Sequence, residues 1–385
     1  MRNPFTPRSL PLILAGRDAD LSLIDQVLTP VAVTRQPAEG AVVLHGVRGI
    51  GKTSILRAAA TRAASEQGLT AVWTSAAKGQ SYLPALATSI RRTLESSGIV
   101  APGTWSLDEI GVNLGPVKAT ARRNRQKPVP HPEFNVGAVE EMLRSASTLC
   151  AEHGGARGGG MLLLMDEMQA ASRADLAILL NALQNISHDQ QGAPPFAFVA
   201  AGLPSVRGAI TSAATFGERT AFRSIKSLDQ DATRLALVET ARESGVSLSN
   251  EAIDLLWSTT QGYPFFVQLY GFHTWAAASL SKKKIITLAD AQRGVATAQN
   301  DVNELFAARL SAAAKAERAM MTAIAQLGGD EPVKRLDLAD ALGKSTQSIS
   351  SVRSQLIDKA VLTEEERGYI QFTLPGFAQY VLEQA

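Results

Sequence analysis

The chain has 385 residues, 45% hydrophobic and 19% charged, with a formal net charge of +2. That length can bury more than one core, and the near-neutral balance confines any nucleic-acid role to local patches. A single cysteine, Cys150, excludes an internal disulfide framework and fits a reducing cytoplasm, and the strongest apolar run, residues 161–165, is far shorter than the ~20 residues of a membrane span.

In chain order, an apolar run at 41–45 (Ala-Val-Val-Leu-His) ends at Gly46, and similar short, non-alternating runs follow within 70–75, at 161–165 and at 196–201. Such runs suit strands buried on both faces of a parallel sheet. Helical stretches at 52–67, 83–97, 137–152 and 172–186 separate them, which indicates an α/β fold wound around that sheet. Residues 100–136 break the rhythm with five prolines and with Lys118, Arg122, Arg123, Arg125 and Lys127. This basic insert reads as a solvated loop, with a nucleic-acid contact as the alternative. From 226 to 310 the pattern is helical, with a turn at 261–264 and a lysine loop at 282–284. Residues 311–385 order a helix (312–327), a short helix (336–342), a helix from Ser345 and two short strands near 360–363 and 369–373. That is the order of a winged helix-turn-helix. The histidines, at 45, 131, 153, 188 and 273, show no metal-ligand spacing.

Residues 46–53, Gly-Val-Arg-Gly-Ile-Gly-Lys-Thr, match the phosphate-loop pattern G-x-x-x-x-G-K-[ST] between an expected strand and an expected helix. Gly46 leaves the strand, and Gly49 and Gly51 let backbone N–H groups approach phosphate oxygens. Val47, Arg48, Ile50 and Ser54 complete the expected wrap. Lys52 supplies a point charge to the β- and γ-phosphates, and the Thr53 hydroxyl is a magnesium ligand. The run 161–165 leads directly into Asp166 and Glu167. Two acids at the end of a buried strand need partners. Asp166 is expected in the magnesium shell and Glu167 as the base that polarises the attacking water. ATP and Mg2+ are therefore the expected ligands. The whole reads as a P-loop NTPase core over 1–225, a helical lid over 226–310 and a winged helix-turn-helix over 311–385.

At these motifs the chain resembles the AAA+ and STAND ATPases, most of all the branch shared by origin-recognition initiators and bacterial STAND-type ATPases. Further boxes carry the resemblance: Leu14-Ala-Gly16-Arg17-Asp18, Ala201-Gly-Leu-Pro204, Glu218-Arg219 and Gly262-Tyr-Pro264-Phe-Phe-Val-Gln268. The resemblance implies that Gly16 and Arg17 help enclose the adenine, that Pro264 belongs to the lid wall, and that Arg219 is an arginine finger acting on a neighbouring subunit of a homo-oligomer. The alternative for Arg219 is an ordinary surface or ion-pairing arginine. Two departures stand out. Residues 200–202 (Ala-Ala-Gly) offer no polar sensor, and Pro264 stands where the family's lid arginine is expected. Both favour a slow switch over a motor.

In the C-terminal stretch, Ile349, Val352 and Leu356 share one helical face, with Ser345 as N-cap. Gln347 and Arg353 fall on the open face and suit a major groove, with Lys344 on a phosphate. Against double-stranded DNA as partner stand ten acidic side chains over eight basic ones in 311–385, and the run Glu364-Glu365-Glu366 at the wing tip. The sequence thus supports a nucleotide-dependent switch on DNA, or a scaffold whose winged domain binds protein.

Overall fold

The computed structural model describes residues 2–105, 134–154, 159–189, 192–213, 219–279, 284–364 and 366–385. Most of the basic insert lies outside them, as do Glu218, Lys282, Lys283 and Glu365.

Five parallel strands form the central sheet: β1 (Ala41–His45), β2 (Thr70–Ser75), β3 (Met161–Asp166), β4 (Phe196–Gly202) and β5 (Thr220–Ser224), in the order β2-β3-β4-β1-β5. Their period-2 alternation sorts the core into two layers. Val42, Leu44, Leu162, Leu164 and Val199 pack with Ile24, Ile55 and Leu56 from α1 (Asp18–Thr34) and α2 (Lys52–Glu66). Val43, Leu163, Met165, Phe198 and Ala200 pack with α3 (Tyr82–Ser96), α4 (Val136–Gly154), α5 (Arg173–His188) and α6 (Val206–Ala213). Because β3 and β4 are buried on both faces, they are apolar up to the site residue Asp166 that ends β3, which is why they read as continuous runs. Each fully buried Leu or Ile contributes roughly 1.5–3 kcal/mol. Among the described residues β5 pairs only with β1, and no residue of it is fully buried, so an edge strand of sequence Thr-Ala-Phe-Arg-Ser carries no apolar run.

Beyond β5 come α7 (Gln230–Arg242), β6 (Ser247–Leu248), α8 (Asn250–Thr260), α9 (Pro264–Ser279), β7 (Ile285–Ile286) and α10 (Leu288–Ser311). Side-chain caps start several of these helices: Asp229 on α7, Ser249 on α8, and a Thr287–Asp290 capping box on α10. The residues nearest the chain's start lie on α9. Phe5 is buried, Asn3 Nδ2 donates to Phe272 O at 2.9 Å, and Thr6 N donates to Gln268 Oε1 at 2.9 Å.

The C-terminal elements are α11 (Lys315–Gly328), β8 (Val333–Lys334), α12 (Arg335–Ala341), α13 (Ser350–Asp358), β9 (Leu362–Thr363), β10 (Tyr369–Phe372) and α14 (Phe377–Glu383), with an antiparallel sheet ordered β8-β10-β9. Helix, helix, helix and hairpin follow one another as the sequence indicates. α11 begins at Lys315, not 312, because Glu317 accepts from Ala314 N at 2.7 Å and fixes the first turn. The same buried carboxylate receives Lys359 at 2.7 Å, which joins α11 to the end of α13. α13 begins later than expected: residues 346–349 form a turn that Ser345 Oγ anchors by accepting from Ser348 N at 3.2 Å. From α10, Arg309 Nη1 donates to Ala360 O at 2.8 Å and Thr373 Oγ1 at 3.0 Å.

Candidate functional site

The ends of parallel strands gather on one edge of the sheet, and that edge is where the phosphate loop leaves β1. Lys52 is 6% exposed, and its Nζ donates to the carbonyls of Gly46 at 2.9 Å and Val47 at 2.8 Å across the loop. Burial pushes its ammonium down to about 8, against the opposing pull of Glu167 and Asp166. From the end of β3, Asp166 accepts from Thr53 Oγ1 at 2.7 Å and from the Glu167 N–H at 2.9 Å. A hydroxyl and a carboxylate at hydrogen-bond distance, beside a buried lysine, are the donor set of a magnesium–phosphate site, so the residues present fit that ion. Among the described residues no group of three or more His, Cys, Asp or Glu comes together as a metal site.

Glu167 leaves the strand in the left-handed region, at φ 52° and ψ 37°. A non-glycine residue there carries roughly 1–3 kcal/mol of strain. The turn is held by Ala170 N donating to Glu167 O at 2.8 Å and by Met168, fully buried beneath it. Gln169 Nε2 donates to Glu167 Oε2 at 2.7 Å, and Gln169 Oε1 accepts from Leu203 N at 2.9 Å. No local signal in the sequence marks Gln169.

A cavity of about 280 Å³ opens over the loop. It brings together Arg17, Arg48, Gly49, Ile50, Gly51, Lys52, Thr53, Ser54, Glu167 and Pro264 from the expected set. Its remaining wall is mostly apolar, with Pro7, Ile13, Leu14, Leu228, Phe265 and Val267 beside the polar Thr6, Ser9 and Gln268; Leu14, Phe265 and Val267 fall within the boxes of the resemblance, and no motif singles out Pro7 or Ile13. Gly16, Gly46, Val47 and Asp166 lie outside that lining. Gly16 makes a left-handed turn against α7, with φ 66°. Arg17 is 5% exposed and its Nη2 donates to Ile50 O at 3.0 Å and Lys226 O at 2.9 Å, while Nη1 lies 3.7 Å from Asp20. Its guanidinium therefore braces the loop against the link between β5 and α7.

α9 closes the cavity from above. Tyr263, just before it, donates its hydroxyl to the Arg48 carbonyl, and a Cβ on Gly49 would stand 2.6 Å from the same hydroxyl. Only glycine permits that approach, and its φ of 77° demands glycine as well. Burial pushes the Tyr263 phenol up to about 12, so it stays a donor.

The remaining expected site residues lie elsewhere. Strand register pairs Thr220 with Ala41 and Ser224 with His45, so Arg219 sits at the strand-start edge, ~20 Å from the phosphate loop. It is exposed and cannot serve the loop of its own chain. Lys344 and Gln347 are exposed before α13. Arg353 is a correction: expected on the open face, it turns to the wing. Its Nη1 donates to Glu364 Oε2 at 3.0 Å, with the two side chains 15% and 23% exposed. Glu364 Oε1 also accepts from Gly368 N at 2.9 Å, so the acid fastens the wing.

Residues 13–199 match the sequence model of the AAA ATPase domain, and residues 303–381 match that of a domain of unknown function, DUF8462. Curated proteins give no match. Among solved structures, the Walker-type ATPase PABY2304 of Pyrococcus abyssi is similar at 14% identity, with 98% of each chain covered and a TM-score of 0.62. The Aeropyrum pernix ORC2 protein, solved as ADPNP–ADP complexes, is similar at 14% identity over 99% of this chain and 96% of its own, with a TM-score of 0.60. Among the described residues no helix is long and apolar enough to cross a membrane.

Proposed function

We propose that this chain, a P-loop ATPase of the AAA+ type whose fold resembles that of origin-recognition-like proteins, binds ATP with magnesium and hydrolyses it slowly as a conformational switch. The observation that carries the proposal is the convergence of Lys52, Thr53–Asp166 and Glu167 on one sheet edge, under a lid that touches the phosphate loop. Lys52 would release the Gly46 and Val47 carbonyls and take the β- and γ-phosphates. Thr53 and Asp166 would hold magnesium, which when bound neutralises charge on the phosphate oxygens. Glu167 would accept a proton from the attacking water. The adenine would lie against Pro7, Ile13, Leu14 and Phe265, with Gly16 and Arg17 shaping that wall from behind. The adenine nucleotides in the Aeropyrum protein of the same fold support this choice of ligand.

The switch would run through Tyr263. A nucleotide that moves the Arg48 carbonyl moves a hydrogen bond that the lid makes, and α10 of the lid grips the C-terminal hairpin through Arg309. We assign the winged helix-turn-helix to DNA, with Lys344 on a phosphate and Gln347 at a base edge. The competing reading, a winged domain that binds protein, is favoured by the engagement of Arg353 with Glu364 and by Leu336, which is 62% exposed on α12. Fluorescence anisotropy on duplex DNA at several salt concentrations, with ATP and with ADP, separates the two. Salt-dependent binding that changes with the nucleotide is expected, and no affinity in either state hands the domain to a protein. For the chemistry, Glu167→Gln should keep ATP bound and stop turnover; hydrolysis near the wild-type rate removes Glu167 from the role of base.

A further inference from the structure

The end of β4 faces the catalytic edge with Ala200, Ala201 and Gly202, none of which has a polar side chain. Yet the strand end is wired to Glu167, and the wire starts two residues beyond the acid itself. The amide of Gln169 is used at both ends: nitrogen to Glu167 Oε2 at 2.7 Å, oxygen to the main-chain N–H of Leu203 at 2.9 Å. Neither group can be exchanged for the other without losing both bonds, because the carboxylate only accepts and the N–H only donates. The site is built for this reach. A Cβ on Gly202 would stand 2.7 Å from Gln169 Oε1, so the bare strand end is what admits the amide. The short 3-10 turn Met168–Ala170, which points Gln169 back along the sheet edge, is anchored by the buried Met168.

We infer that Gln169 is the positioning residue for Glu167: it orients the carboxylate and ties that orientation to the junction of β4 and α6. The inference rests on Glu167 being the base. It assigns the missing polar contact at the end of β4 to a side chain from the turn that follows the neighbouring strand β3. Motion of Leu203, which precedes α6, then changes the hydrogen bond available to the base without any side chain on β4. The amide also leaves Glu167 Oε1 free of this bond and so selects which oxygen meets water.

Two variants and one control test this. Gln169→Ala removes both bonds; kcat should fall at least tenfold, while the KM and Kd for ATP stay within about twofold. Gln169→Glu keeps the shape and an acceptor for Leu203 N–H but sets a second carboxylate against Glu167. Two acids at hydrogen-bond distance retain a shared proton to higher pH. The acid limb of the kcat profile should therefore move up by about one pH unit or more, with activity lost near the neutral range where the parent is active. A merely structural role lowers melting temperature and leaves the profile of the folded enzyme in place. The control is Glu167→Gln. If that variant is inactive and both Gln169 variants keep the parent's kcat and pH limb, the inference about Gln169 is wrong while the base assignment stands. If Glu167→Gln still turns over, the base assignment falls and Gln169's part falls with it.

Discussion

Lys52 carries the largest electrostatic tension at the site. A buried ammonium pushed down to about 8 is charged below that pH and neutral above it. A triphosphate favours the charged form, so binding raises the lysine's pKa. Below pH 8 the affinity should be flat. Above it, each complex must take up a proton, and affinity should drop by about tenfold per pH unit until the pKa of the bound state is reached. Calorimetry at pH 8.5 in two buffers of different ionisation enthalpy should show that uptake. Equal heats in both buffers would mean that Lys52 is already fully charged in the free protein. Lys52→Ala should abolish ATP binding, since it removes the one buried ammonium on the loop and the guanidinium of Arg17, which also lines the cavity, is committed to carbonyls. Retained affinity in the same calorimeter would refute the assignment of the phosphate loop.

Among the elements, the lid and the wing make the clearest expectations. Tyr263→Phe removes one hydroxyl that bridges α9 to the phosphate loop. A single hydrogen bond is worth about 1 kcal/mol, or roughly fivefold in a rate. Release of a fluorescent ADP analogue, followed by stopped flow, should accelerate by about that factor; an unchanged rate would detach the lid from exchange. In the wing, the Arg353–Glu364 pair should show a coupling of about 1 kcal/mol in a denaturation double-mutant cycle, and Arg353→Ala should leave the salt slope of any DNA binding untouched. A slope that drops by one unit would put Arg353 on a phosphate instead. These expectations mark how much the sequence made legible. β1, β3 and β4 are readable because strands covered on both sides must be apolar, and the phosphate loop because its backbone geometry admits few residues. β5 escapes because an edge strand with one neighbour can be polar. Gln169 escapes because its value lies in what β4 lacks, and Arg353 because helical periodicity gives a face but not the acid that folds over it. The closure of the cavity between the first residues and α9 escapes for a further reason: Thr6 and Gln268 meet across 262 positions, and no local pattern records a contact so distant.

On the scale of the whole molecule, Arg219 lies at the edge of the sheet opposite to the phosphate loop of its own chain. Any part it plays in catalysis must be played on a neighbour. Mixing Arg219→Ala subunits with Lys52→Ala subunits should then restore some hydrolysis, because one kind of interface in the mixture pairs an intact loop with an intact arginine. A strictly monomeric protein at full activity would end that idea. Arg309 joins the Phe306–Phe377 and Phe306–Tyr380 ring contacts in tying the C-terminal elements to α10, so Arg309→Ala should make the 311–385 segment more open to limited proteolysis while ATP affinity changes by no more than a few-fold. Cleavage at the parent's rate would show that other contacts hold the segment. The contact between Thr6 and Gln268 also sets a clock on the ribosome. Synthesis at ~5–20 residues per second separates the two residues by roughly 15–50 s. Once β5 has emerged, about 44 more residues, or roughly 2–9 s of synthesis, pass before Gln268 follows, and in that window the sheet can assemble with its phosphate loop complete and its adenine wall unfinished. A nascent chain would thus meet cellular ATP first by its phosphates alone, and would gain its grip on the base only once α9 has emerged.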